Sequence, residues 1–221
     1  MKKFALGYER FCRVVLMIFM VHLATIVHTV MGLVLVGFFP SVSASYATYR
    51  TWLLDLDQSW TVKRTWTVFH KAWKEDLKSA NLFGWPQLII GLFLAWDYYL
   101  ANFNSTGTLG IAASGLLLAV NVVYLLFLVL SWAVRSNYDE KPGWIIKMTF
   151  NMVLARPVCT LVLVLVIIAT LVVWWRWSGF LAAFGIALPL FAVVMVVSYL
   201  GRLKGMDAKE LKESRDERMA Q

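Results

Sequence analysis

Five stretches of this chain are too apolar and too long for a water-soluble fold: Val14–Phe38, Leu82–Trp96, Leu109–Ala133, Val158–Trp175 and Phe180–Gly201. Most approach the ~20 residues a helix needs to cross ~30 Å of hydrocarbon. With 60% hydrophobic residues and a mean hydropathy of +0.68, the 221 residues leave no room for a soluble domain beside a membrane bundle. The expectation is an all-α integral membrane protein forming one domain over residues 1–221.

Charge is informative by its position. The 21 Lys and Arg outnumber the 13 Asp and Glu, but they flank apolar spans rather than covering a soluble face. Membrane orientation and anionic headgroups therefore explain the excess, and nucleic acid is excluded as a partner. The lipid bilayer is the first partner expected. Cys12 and Cys159 have neither metal-ligand spacing nor activating neighbours, so both read as packing residues. Lys2, Lys3, Arg10 and Arg13 precede an apolar run of about 25 residues, well beyond the 7–15 of a signal peptide. That run reads as a retained first helix.

The linkers 102–108 and 176–178 carry almost no charge, whereas segments 134–156 and 202–221 are rich in Lys and Arg. The first pair belongs outside and the second pair in the cytoplasm. Segment 50–78, with Arg50, Lys63, Arg64, Lys71, Lys74 and Lys78, falls inside as well. A basic N-terminus on that same side requires the chain to turn near Pro40 and return through a short second helix over 41–56. Ser41, Ala44, Ala47, Thr48 and Thr51 let such a helix pack closely in lipid. The alternative keeps 41–56 in the interface or re-entrant, with five crossings. The organisation expected is spans at 14–38, 41–56, 82–101, 108–133, 157–175 and 179–201, both termini in the cytoplasm of a bacterial inner membrane, and a cytoplasmic helical tail at 202–221.

Between the second and third spans, Thr61–Asn81 repeats Val62, Trp66, Phe69, Trp73, Leu77 and Ala80 at steps of three and four, with Lys63, Arg64, Lys71, Lys74 and Lys78 around the rest. This pattern predicts an amphipathic helix on the cytoplasmic interface, its aromatics in the acyl boundary. Trp66, Phe69, Trp73, Lys74 and Lys78 form a candidate docking surface for a partner. Trp85, Trp96, Trp132, Trp174, Trp175 and Trp177 lie near span ends as an aromatic belt would. Pro142-Gly143 reads as a break in the inner loop, and Gly185 with Pro189 as a kink in the last span.

No nucleotide-binding, nucleophile-elbow or zincin motif occurs, so no enzymatic activity and no cofactor or metal are expected. The intramembrane polar candidates are His22, Thr25, His28, Thr29 and Asn121. A transport path would use them, since ionisable groups at membrane depth are functional hypotheses. Their plainer role is interhelical hydrogen bonding. His22 and His28, six residues apart, point about 120° away from each other on a helix and cannot share a metal alone.

The run Pro40-Ser41-Val42-Ser43-Ala44-Ser45-Tyr46-Ala47-Thr48-Tyr49, followed by Phe69-His70-Lys71-Ala72-Trp73-Lys74-Glu75-Asp76-Leu77-Lys78-Ser79-Ala80-Asn81, resembles the YesL-like family of small bacterial membrane proteins. The likeness covers roughly residues 10–100. Ser43 stands where that family usually has Gly, and Asp76-Leu77-Lys78 where it has Asn-Phe-Lys. The family is a domain of unknown function often encoded beside carbohydrate ABC importers. The resemblance therefore implies an accessory or assembly partner of importer permease or ATPase subunits. A small autonomous channel or transporter, and a structural protein without an importer partner, are the alternatives.

Overall fold

The apolar stretches become helices because only a helix satisfies its own backbone hydrogen bonds in hydrocarbon. The computed structural model describes residues 2–104 and 107–201, with side chains from residue 7 onward. Among them the fold is all-helical: α1 Lys2–Met31, α2 Phe38–Leu54, α3 Val62–Glu75, α4 Leu77–Asn104, α5 Gly107–Asn137, α6 Pro142–Ala155, α7 Pro157–Arg176, α8 Ser178–Phe184 and α9 Ala187–Leu200. Three segments are long and apolar enough to cross a membrane, namely Gly7–Met31, Gly107–Asn137 and Pro157–Arg176, and the bent α8–α9 pair makes up to a fourth. Helix α7 buries only Cys159 and Leu163 while exposing Leu161, Leu165, Ile168, Leu171 and Val172. Such a continuous apolar exterior is stable only against lipid. The chain is a helical membrane protein; the expected tail at 202–221, like Ser105 and Thr106 of the outer turn, lies outside the described residues.

Helix α2 is the centre of the bundle and contacts α1, α3, α4, α5 and α9. It is buried nearly all round, with Phe39, Ser41, Ser43, Ala44, Ser45, Tyr46, Thr48 and Tyr49 all buried. Its small residues make this possible, since they let five helices approach one backbone. Its two buried tyrosines are bonded within the protein: Tyr46 Oη donates to the Val129 carbonyl at 3.0 Å, and Tyr49 Oη to that of Ala187 at 2.9 Å.

Four boundaries differ from the sequence expectation. The first helix stops at Met31, seven residues before Phe38, in a turn over 32–37. Leu33 and Val34 take positive φ of 53° and 64° there. Gly32 and Gly37 close the turn backbone to backbone, since a Cβ on Gly32 would lie 2.3 Å from the Gly37 Cα. The amphipathic helix ends at Glu75, because Asp76 leaves helical geometry and Leu77 starts α4. Lys78, Ala80 and Asn81 therefore belong to α4. Pro142 does not break a loop but begins α6, at the N1 position where a missing N–H costs nothing. Finally, 179–201 is not one helix: α8 and α9 meet at 76° across Gly185. Gly185 has φ 43° and ψ −132°, a conformation open to glycine alone. Pro189, the other half of the expected kink, sits in the first turn of α9.

Candidate functional site

The aromatic stripe of α3 faces protein, not lipid. Phe69 is fully buried, Trp73 is buried and Trp66 is half-buried, all packed with α1 and α2. This corrects the expectation that Trp66, Phe69 and Trp73 offer a free docking or acyl-boundary face. An apolar stripe at helical spacing requires only that one side of the helix be covered, and here the bundle covers it. Lys63, Lys71, Lys74 and Lys78 remain exposed.

At the heart of that packing lies His28, fully buried in α1. Rings of Trp66, Phe69, His70 and Trp73 surround it at centroid distances of 5.0–5.2 Å. Its Nδ1 lies 2.8 Å from the Ala24 carbonyl, which only accepts, so Nδ1 carries the proton. In the neutral ring Nε2 then accepts from His70 Nδ1, 3.0 Å away. The chain thus ties α1 to α3 through two imidazoles, of which His70 is exposed.

The other polar candidates each serve a different contact. His22 meets the Ala182 carbonyl of α8 at 3.2 Å. Thr25 bonds Val21 on its own helix and Ser45 of α2, at 2.7 and 3.0 Å. Thr29 is half-buried, and its backbone carbonyl receives the Val34 N–H of the following turn. Asn121 bridges α5 to α4 by donating to Leu94 O at 3.0 Å and Leu117 O at 2.9 Å. The structure therefore does not gather His22, Thr25, His28, Thr29 and Asn121 into one path. It ties His22, Thr25, His28 and Asn121 to α8, α2, α3 and α4 respectively, and leaves Thr29 at the turn after α1.

A site that sequence reasoning missed lies where α2, α3, α4, α5 and α6 leave a cavity of about 1030 Å³. Its polar end centres on Arg135 of α5 and Asp76 at the α3–α4 break. Arg135 Nη1 reaches Asp76 Oδ2, and Nη2 reaches Oδ1, each at 2.6 Å. Ser43 Oγ donates to Asp76 Oδ2 at 2.5 Å, and Ser79 Oγ accepts from Arg135 Nη2 at 2.9 Å. The guanidinium also lies 5.5 Å from the Phe83 ring and 5.4 Å from Trp132. This is a two-pronged, charge-assisted pair, with Ser43 and Ser79 bonded at its sides and aromatic rings near the guanidinium. Ser43 and Asp76, the two departures from the YesL-like pattern, are hydrogen-bonded to each other here.

Beside the pair, Arg50 of α2 donates from Nε to Asn137 Oδ1 at 2.8 Å. No carboxylate lies within salt-bridge distance of it among the described residues. Burial holds the neighbouring Tyr138 phenol above its ordinary pKa, with the Arg50 charge pulling the other way. From this end the cavity runs along α4 and α5 between Phe83, Pro86, Ile90, Phe127, Ile146 and Phe150. It is therefore amphipathic along its length.

A family model described as "Protein of unknown function, DUF624" matches residues 18–98, the stretch from α1 into α4. The chain is 21% identical over 157 residues to "Uncharacterized protein YesL" of Bacillus subtilis (strain 168), which covers 71% of each chain. No solved structure matches. The matched stretch contains His28, Ser43, Arg50, His70 and Asp76, while Arg135 and α6 fall beyond it. These comparisons bear out the resemblance.

Proposed function

Starting from a YesL-like membrane protein, we propose that it is a non-enzymatic partner in the assembly or regulation of a carbohydrate ABC importer. The observation that carries this reading is the exposed ridge of α3. Its apolar side is consumed by α1 and α2, yet Lys63, Lys71 and Lys74 stand free of the bundle, continued by Lys78 at the start of α4. A helix already anchored through its aromatics does not need those lysines to hold it in place. They suit an acidic surface of a permease or ATPase subunit. The topology that accompanies this reading has six crossings of a bacterial inner membrane, by α1, α2, α4, α5, α7 and the α8–α9 pair, with both termini cytoplasmic. Purification of the tagged protein from its native membrane in mild detergent, followed by mass spectrometry, tests the proposal. Stoichiometric permease subunits are expected. Reversal of Lys63, Lys71, Lys74 and Lys78 to Glu is expected to remove them while the protein still inserts. A wild type that comes alone overturns the partner reading.

One observation favours a second reading, an autonomous channel or transporter. Transporter sites are built where a membrane helix is interrupted, and the α8–α9 break at Gly185 lies against the His22 ring. Solute flux through liposomes holding this protein alone, abolished by H22A, is the result that distinguishes it.

A further inference from the structure

The amphipathic cavity has an occupant chemistry written in its lining. We infer that it holds one molecule of a zwitterionic phospholipid, its phosphate on Arg50, its amine towards the acidic rim, and an acyl chain between α4 and α6.

The apolar wall comes first. Leu82 is 73% exposed, Ile90 50% and Phe150 46%, and all three line the cavity. The wall is thus open sideways, to where hydrocarbon lies, rather than sealed as a pocket for a water-borne solute. From Ser79 at the polar end to Ile90, α4 rises through eleven residues, or about 17 Å at ~1.5 Å per residue. That is close to ~15 Å, half the hydrocarbon thickness. The cavity therefore matches one leaflet in depth. A volume of about 1030 Å³ stands at the upper end of the ~300–1,000 Å³ typical of ligand sites, enough for a headgroup and a chain.

The headgroup follows from the charges at the polar end. Arg135 and Asp76 neutralise each other through the two-pronged pair. Among the described residues that leaves Arg50 as the cation of the lining, with no carboxylate at its Nη groups, and Glu75, Asp139 and Glu140 as the anions around it. Arg50 is half-buried while Asp139 and Glu140 are exposed, so the positive site is deep and the negative rim is outermost. A phosphodiester carrying a terminal ammonium has this order of charge. Glu75 lies 4.0 Å from Lys71, so a purely anionic headgroup would meet the two carboxylates of Asp139 and Glu140 at the rim, and a purely cationic amphiphile would meet Arg50 inside.

The full-length protein, purified in mild detergent, is titrated with phosphatidylethanolamine or phosphatidylglycerol of matched chains, and bound lipid is counted by native mass spectrometry. The wild type is expected to prefer phosphatidylethanolamine by about tenfold, the equivalent of ~1.4 kcal/mol. R50Q is expected to lose that lipid by a similar factor. The pair D139N and E140Q, at exposed positions where folding is not at issue, is expected to abolish the preference and raise phosphatidylglycerol binding. Equal binding of both lipids by the wild type overturns the proposal, as does a double variant that keeps the preference. A photoreactive residue at Phe150 in native membranes is expected to capture lipid; capture of a protein segment instead also overturns it.

Discussion

Arg135 and Asp76 meet across 59 positions of sequence with both guanidinium nitrogens on both carboxylate oxygens, each at 2.6 Å. Their side chains are only 14% and 22% exposed. The pair clamps the end of α5 to the break between α3 and α4, and Ser43 adds α2 to the same knot. One half-buried ion pair thus fixes four helices at one end of the bundle. It also neutralises two of the cavity's charges, and among the described residues Arg50 is the cation left in the lining.

Removing the carboxylate while leaving the guanidinium buried should be costly. D76A is expected to destabilise the protein by ~3 kcal/mol, the scale for stripping one partner from a buried pair. D76N keeps one acceptor, for Ser43 and Arg135 Nη1, but not the charge, and should lose less than D76A by ~1 kcal/mol. Thermal unfolding in detergent, followed by tryptophan fluorescence, measures both. Equal losses for the two variants would show that charge, not hydrogen bonding, holds the knot.

Much of this architecture was legible in the sequence, and the reason is the bilayer. Apolar length alone marks α5 and α7, whose ends fall within a few residues of the expected spans. The second short helix was legible from its small residues, and its central burial follows from them. The extent of α1 was not legible, because Gly32–Gly37 is as apolar as the helix before it and its turn rests on a backbone contact between two glycines. Periodicity found the apolar face of α3 but not what covers it, since lipid and protein demand the same stripe. In the sequence Asp76 stands inside the expected amphipathic helix over 61–81, and Arg135 is one charge of the basic segment 134–156. Their meeting depends on the antiparallel pairing of α4 and α5, which no local pattern encodes. The same holds for His28 and His70, 42 residues apart.

The histidine pair separates a buried partner from an exposed one. H28A should cost ~2–4 kcal/mol, since it opens a cavity inside four aromatic rings and strands the α1–α3 contact. H70A trims an exposed ring and leaves the buried His28 Nε2 without its partner, and should cost ~1–2 kcal/mol. Denaturation of the two variants side by side checks the ranking. A larger loss for H70A would place the burial elsewhere than the structure does.

The helix break at Gly185 yields a prediction with an internal control. A Cβ at this position would lie 2.1 Å from His22 Cε1, on a backbone with φ of 43°. Two separate penalties, overlap with the imidazole and backbone strain of ~1–3 kcal/mol, therefore load G185A. In the double variant with H22A the overlap disappears and the strain stays. The cycle should thus return a coupling of at least ~1 kcal/mol, within the range for residues in contact. Additive losses would mean that His22 does not sit at the break.

Orientation can be read directly from side-specific labelling. Helix α5 has 31 residues, a length of about 46 Å at ~1.5 Å per residue, so its two ends must lie on opposite sides of ~30 Å of hydrocarbon. Asn102 precedes it and Glu140 follows it, and both are exposed. In a background with Cys12 and Cys159 replaced, N102C should react with an impermeant maleimide from outside intact cells. E140C should react only after permeabilisation, because the Lys- and Arg-rich segment around it holds that end in the cytoplasm. The reverse pattern would invert the bundle and carry the α3 lysines away from the side where an importer's ATPase lies. Labelling of both from one side would mean that α5 does not cross, and the membrane topology would then have to be rebuilt from α1 and α7.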